Sequence, residues 1–170
     1  MWYVIWTATG SERKLSQWIS DYVSEDLYDD CFVPLIEQNR KEAGKWKTVK
    51  KVLFPGYLFV RTDEQRIKDF ADKLSRSGQF EVILSSDGEF APVREEEEYL
   101  INNAYNNNGV LGSSIGMIEG DNIKILSGPL IGLEGAIKQI NRHKRIAIIE
   151  LNMFGRVSRV KIGLEIISKQ

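Results

Sequence analysis

"SGPLIGLEGAI", residues 127–137, sets Gly128, Gly132 and Gly135 around Pro129. Glycines so spaced serve either to close a backbone around a phosphate or to let a β-strand turn and bend. A phosphate-cradling loop opens a helix and ends in Gly-Lys-Ser/Thr, so that backbone N–H groups and a lysine meet the phosphates. Here Gly135 is followed by Ala136 and Ile137, and the continuation is strand-like. The dinucleotide fingerprint fails for the same reason, since no helix follows. A turn plus a bent strand accounts for all three glycines. The stretch therefore reads as part of a small β domain rather than of a nucleotide enzyme.

Its surroundings agree. After Gly120 come five short β-like stretches, "NIKIL", "LEGAIKQI", "RIAIIEL", "RVSRVKI" and "LEIIS". Val160, Ile162 and Leu164 alternate, as do Ile146 and Ile148, the period of a half-buried strand. A closed barrel of about fifty residues is expected, because closure removes edges that so short a chain could not otherwise protect. Between Asn102 and Gly120 the text is rich in Asn, Gly and Ser and has neither helical nor strand period, which predicts a linker.

The preceding part mixes strand and helix signals. "WYVIWTA" predicts a strand, and Thr9 with Glu12 fits a capping box. Leu15, Trp18, Ile19, Tyr22 and Val23 then share one helix face. "CFVPLIEQ" reads as a strand with Pro34 at an edge, and "NRKEAGKWK" as an exposed basic hairpin loop. "TVKKVLF" and "GYLFVRT" are strands separated by the Pro55-Gly56 turn. A helix carrying Ile67, Phe70, Ala71 and Leu74 follows, with Asp63 as its cap; "FEVIL" is a further strand, and "PVREEEEYLINNAY" starts a third helix. The expected fold class is α+β, a mixed antiparallel sheet with helices followed by the small all-β barrel.

A chain of 170 residues accommodates one ordinary domain or two small ones. No apolar run approaches the ~18–20 residues of a membrane span, and the amino terminus lacks a basic leader with a long apolar stretch, so a cytoplasmic protein is expected. Cys31 and His143 are the sole cysteine and histidine, which excludes an intrachain disulfide and any Cys/His zinc site within one chain. Cys31 reads as a small core residue and His143 as a solvated imidazole, so neither supports catalysis, and no cofactor or metal is expected. Charge is uneven: residues 116–170 hold nine Lys and Arg against five acids, or +4, which leaves −5 on residues 1–115 of a chain whose net charge is −1. Different electrostatics suggest different partners.

"GDNIKILSGPLIGLEGAI", residues 120–137, closely resembles the KOW motif, and "LFPGYLFV", residues 53–60, resembles the central signature of the NusG amino-terminal (NGN) domain. "FGRVSRVKIGLEII" resembles the end of the family's KOW barrel. The resemblance implies an NGN domain over 1–105, a flexible linker over 106–119 and an Src-homology-3-like KOW domain over 120–170. It implies a monomeric transcription elongation factor and not an enzyme. Its NGN domain would grip the clamp helices of the largest RNA polymerase subunit and favour the closed, processive polymerase. By motif, Trp6, Tyr57 and Phe59 are the candidate polymerase-binding residues. Tyr57 and Phe59 stand two apart on one strand and so project from the same face; the other reading of all three is ordinary core.

The segment matching "FGRVSRVKI" commonly carries a Thr-Pro and an acid in the general factors, where this chain has Ser158-Arg159 and Lys161. Together with Arg142, His143, Lys144, Arg145 and Arg156, these make one turn and one strand unusually basic. A positive barrel suits nascent RNA through phosphate neutralisation; a solvated charged turn is the other reading. The resemblance thus points to a specialised paralogue of the LoaP or RfaH kind that acts as an antiterminator. A general factor coupling transcription to Rho or the ribosome, and a structural KOW-containing RNA binder, are the alternatives. Arg40, Lys41, Lys45, Lys47, Lys50 and Lys51 form a basic loop, either solvated and diluted by Glu37 and Glu42 or close to polymerase or nucleic acid, with non-template DNA a further candidate partner.

Overall fold

The computed structural model describes residues 1–78, 82–83, 85–86 and 89–167. In chain order the first elements are β1 (Trp2–Trp6), α1 (Glu12–Tyr22), β2 (Asp30–Phe32), β3 (Leu35–Glu42), β4 (Lys45–Val52), β5 (Tyr57–Arg61) and α2 (Arg66–Leu74). They continue as β6 (Val82–Ile83), β7 (Ser85–Ser86), β8 (Glu89–Phe90), α3 (Glu98–Asn106) and β9 (Val110–Leu111). The last five are β10 (Ser114–Glu119), β11 (Asn122–Ser127), β12 (Ile137–Asn141), β13 (Ile146–Met153) and β14 (Arg156–Ile166). Of the strand expected over "FEVIL", Val82–Ile83 is formed, and residues 80, 81 and 84 lie outside the described residues. Two compact units result, one of Met1–Pro34 with Phe54–Tyr99 and one of Leu35–Leu53 with Leu100–Gln170.

The first unit is built on an antiparallel sheet of order β2-β5-β1-β6. Strand alternation divides its side chains between two faces. Tyr3, Ile5, Leu58 and Val60 share a core with Leu15 and Ile19 of α1 and with Ile67, Phe70 and Leu74 of α2. The helical spacing read from the sequence thus supplies the buried stripes, although Tyr22 at the end of α1 is 69% exposed. The expected Thr9–Glu12 capping box does not form. Ser11 takes the N-cap position, and the buried Glu12 carboxylate instead accepts the backbone N–H groups of Gly10 (3.0 and 3.1 Å) and Gly56 (2.6 Å). A bond across 44 residues thus replaces a local one, tying the start of α1 to the turn before β5. At α2 the Asp63 carboxylate accepts the N–H groups of Gln65 and Arg66, the capping role expected of it.

In the second unit β3 and β4 form a hairpin whose two turn residues, Ala43 and Gly44, have φ of 50° and 78°. Left-handed dihedrals at both centres fit the right-handed twist of the flanking strands. The expected loop "NRKEAGKWK" is therefore strand except at those two residues: charged side chains on an exposed ribbon hide the strand period. β9 pairs in parallel with β3, Leu35 opposite Val110 and Ile36 opposite Leu111. A five-stranded sheet of order β11-β10-β14-β13-β12 fills the rest, antiparallel except for the parallel pair β10 and β14. The expected linker over 106–119 accordingly contains two strands, because backbone pairing with β3 and β14 orders text of weak strand propensity.

"RVSRVKI" and "LEIIS" are likewise one strand, with Gly163 inside it. A Cβ there would lie 2.7 Å from Ser113 Oγ and 3.2 Å from the carbonyl oxygen of Glu37, so the glycine marks close passage of three chain segments rather than a strand end. The alternating Val160, Ile162 and Leu164 are buried as their period required, but on β13 the buried residues are Ala147 and Ile149, and the alternating Ile146 and Ile148 are only half-buried. Gly128 and Gly132, both at positive φ, lie in the turn after β11, whereas Gly135 lies in a short 3-10 turn, Glu134–Ala136, and not in a bent strand as expected. At φ +96°, the Gly128 backbone lies so near Ser114 that a Cβ would come within 2.6 Å of that residue's Cα. The Ser114 hydroxyl accepts the N–H of Leu130 at 3.0 Å and fixes the turn before β12.

Candidate functional site

On the first unit, register pairs Trp2 with Arg61, Val4 with Phe59 and Trp6 with Tyr57, and these six side chains occupy the sheet face opposite the helices. The Trp6 and Tyr57 rings lie 5.8 Å apart, both half-buried. Phe59 is different: it is fully buried, its ring 5.9 Å from that of Phe54 and 6.3 Å from that of Phe32. Phe32 in turn lies 5.2 Å from Trp2, over which the Arg61 guanidinium sits at 5.6 Å. Of the three residues singled out by motif, Trp6 and Tyr57 are thus half-buried, and Phe59 is core, packed against Phe54 and Phe32.

The turn ahead of Tyr57 is held on both sides. Glu12 accepts the Gly56 N–H, and Thr7 donates its N–H to the Gly56 carbonyl at 2.9 Å. Burial pushes the Glu12 carboxyl up, but the N–H donors of Gly56, of Glu12 itself and of Gly10 outweigh it and hold the group below its ordinary value. The strand that carries Tyr57 therefore starts from a fixed turn. Cys31, on the neighbouring β2, has its thiol pushed up to about 12 by burial and the adjacent Asp30, which keeps it protonated and unreactive at neutral pH.

On the second unit the basic residues do not act as one patch. Arg159 lies 3.3 Å from Glu150, and Arg145 4.0 Å from Glu165. Arg145 also stands 4.2 Å over the ring of Trp46, a hairpin residue that the sequence reading passed over. In the turn between β12 and β13, the Asn141 carboxamide accepts the Lys144 N–H at 2.9 Å and Arg145 takes φ +53°, which exposes Arg142, His143 and Lys144. His143, Lys144 and Lys161 line a cleft of about 420 Å³ together with Arg40, Lys41, Trp46 and Lys51 of the hairpin. Arg142, Arg156 and Arg159 are not among its lining residues. Trp46 left no signal because its partner lies far along the chain, beyond any period a sequence displays.

Among the described residues no group of three His, Cys, Asp or Glu side chains is placed to hold a metal ion, and no helix is long and apolar enough to cross a membrane. The family described as "Transcription termination factor nusG" matches residues 1–102, and the KOW motif matches residues 119–152. The transcription termination/antitermination protein NusG of Thermus thermophilus is 25% identical, the alignment covering 99% of this chain and 97% of that protein. The protein of the same name from Halalkalibacterium halodurans is 28% identical with the same coverage. Among solved structures, one described as "Domain interaction in Thermotoga maritima NusG" matches with a TM-score of 0.54 at 23% identity, covering 96% of this chain and 92% of that one, a likeness of fold.

Proposed function

The chain belongs to the NusG family, whose members are transcription factors rather than enzymes, and from that premise we propose that it is an elongation and antitermination factor which grips RNA polymerase through the aromatic face of its first unit. The observation carrying this reading is the Trp6–Tyr57 pair. Two half-buried aromatics 5.8 Å apart stand opposite each other on paired strands of a sheet face, beside a turn braced by Glu12. Aromatic anchors of this kind bury a large area at small entropic cost. The clamp helices of the largest subunit are the partner implied by the motif "LFPGYLFV". The action is mechanical: differential affinity for two polymerase states shifts the enzyme toward the processive one, with no bond made or broken in this chain.

A monomeric state and a cytoplasmic location belong to the same reading, as does a division into an NGN domain over 1–105, a flexible linker over 106–119 and a KOW domain over 120–170, from which the compact units differ in joining Leu35–Leu53 to Leu100–Gln170. The basic turn and strand, with Ser158-Arg159 and Lys161 in place of the common Thr-Pro and acid, favour a specialised paralogue of the LoaP or RfaH kind that contacts nascent RNA. The test compares the full chain with Tyr57→Ala for binding to core RNA polymerase and for pausing and termination in vitro. Loss of at least tenfold in affinity, about 1.4 kcal/mol, is expected together with loss of any effect on pausing. Undiminished binding by a folded Tyr57→Ala protein would remove the aromatic face from the interface.

A further inference from the structure

We propose that the cleft between the β3–β4 hairpin and the β12–β13 turn is a binding groove for a short single-stranded segment of RNA, read by phosphate contacts along its walls and by one base at Trp46. The inference rests on the reading above that the basic second unit meets nascent RNA, and it assigns that contact to residues from both parts of the unit.

Three observations carry it. First, the cleft is built from distant parts of the chain: Arg40, Lys41, Trp46 and Lys51 come from the hairpin, and Lys144 and Lys161 come from the turn and β14. Hydrogen bonding of the Gln38 side chain to the carbonyl of Lys161 at 3.3 Å, and the close approach of Gly163 to Glu37, hold these segments together within the unit. Second, its charge has one sign. No Asp or Glu lines it, and Arg40, Lys51, Lys144 and Lys161 have no carboxylate partner within 4.0 Å among the described residues. Unneutralised cations held close together cost free energy unless an anionic ligand relieves them, and a phosphate backbone supplies one charge per nucleotide.

Third, the cleft holds an aromatic platform. Trp46 is half-buried, with the Arg145 guanidinium 4.2 Å from its ring centre and the Lys41 ammonium at 6.0 Å. Aromatic rings and guanidinium planes are what unpaired bases stack upon, whereas the bases of a duplex are already stacked on one another. A volume of about 420 Å³ lies in the range of a small-ligand pocket and admits a base with its sugar rather than a helix. An acidic peptide would satisfy the cations but would supply no base to stack against Trp46 and Arg145.

The test uses the full chain and fluorescence anisotropy with a labelled eight-nucleotide single-stranded RNA, the same sequence as a duplex, and a poly-glutamate peptide as competitor. Lys51→Glu on the hairpin and Lys144→Glu on the turn are each expected to weaken single-strand binding about tenfold, and Lys124→Glu, a charge reversal outside the cleft lining, less than twofold. Trp46→Ala should cost about tenfold and Trp46→Tyr much less, since Tyr retains a stacking ring; thermal melting of each variant checks that it is folded. Loss on the turn with Lys51→Glu and Trp46→Ala unaffected would overturn the composite groove and leave the RNA reading standing. Equal binding of duplex, equal loss for Lys124→Glu, or displacement by poly-glutamate as effective as by RNA would overturn the groove's single-strand assignment. Absence of any RNA binding would overturn both.

Discussion

Glu12 joins the start of α1 to the turn that presents Tyr57, so its ionisation couples pH to the geometry of the proposed polymerase contact. Its carboxyl, held below its ordinary value in the folded chain, contributes stability that is fully present above the unfolded value near 4.5 and is lost as pH falls through the folded value. Glu12→Gln keeps the shape but removes the charge that makes these N–H bonds strong. It should therefore cost about 2 kcal/mol at neutral pH, the scale of hydrogen bonds to a charged group, and much less at about pH 3. Denaturant titrations of both proteins at the two pH values measure this; a difference independent of pH would mean that shape rather than charge supplies the stability. At this scale the sequence was legible in part. Glu12 stands out as an acid near a helix start, but the donor it needed, Gly56, lies 44 residues on, so the local capping box was the wrong partner.

At the scale of elements, the β3–β4 hairpin carries half of the proposed groove, and its turn is imperfect. Ala43 sits at φ 50°, in the left-handed region where a Cβ is penalised by roughly 1 kcal/mol, while Gly44 carries no such cost. Asn tolerates that conformation, so Ala43→Asn should stabilise the chain by about 0.5 kcal/mol, seen as a rise of about 1–2 °C in the melting midpoint. An unchanged or lowered midpoint would show that the turn is not under this strain. The same turn explains why the hairpin read as a loop. Ala-Gly lacks the Asn-Gly or Asp-Gly signal, and a run of lysines on an exposed two-stranded ribbon has no buried face to impose a period. The long strand β14 was split for a related reason: Gly163 looks like a break, whereas its neighbours Ser113 and Glu37 need the space. Elements with a buried face, α1, α2, β1 and β5, were legible because burial writes itself into spacing.

At the scale of the whole molecule, the contrast between a cationic groove and an aromatic sheet face predicts that two kinds of binding respond differently to salt. The proposed groove offers five cationic side chains, Arg40, Lys41, Lys51, Lys144 and Lys161, to phosphates. With about 0.7 counterion released per contact on a single strand, the logarithm of RNA affinity should fall against the logarithm of salt concentration with a slope no steeper than about −3.5. Polymerase binding through Trp6 and Tyr57 draws on apolar burial and should change far less over the same range. Tyr57→Ala should accordingly leave the RNA slope intact, and Lys51→Glu should reduce it by about 0.7 or more while sparing polymerase affinity. Titrations from about 50 to 300 mM salt on the full chain and both variants decide the matter. A slope much steeper than −3.5 would mean that phosphates reach beyond the cleft, to Arg142 or Arg156. If Tyr57→Ala lowered the RNA slope as well, the two surfaces could not be acting as independent sites, and one ligand would have to span both.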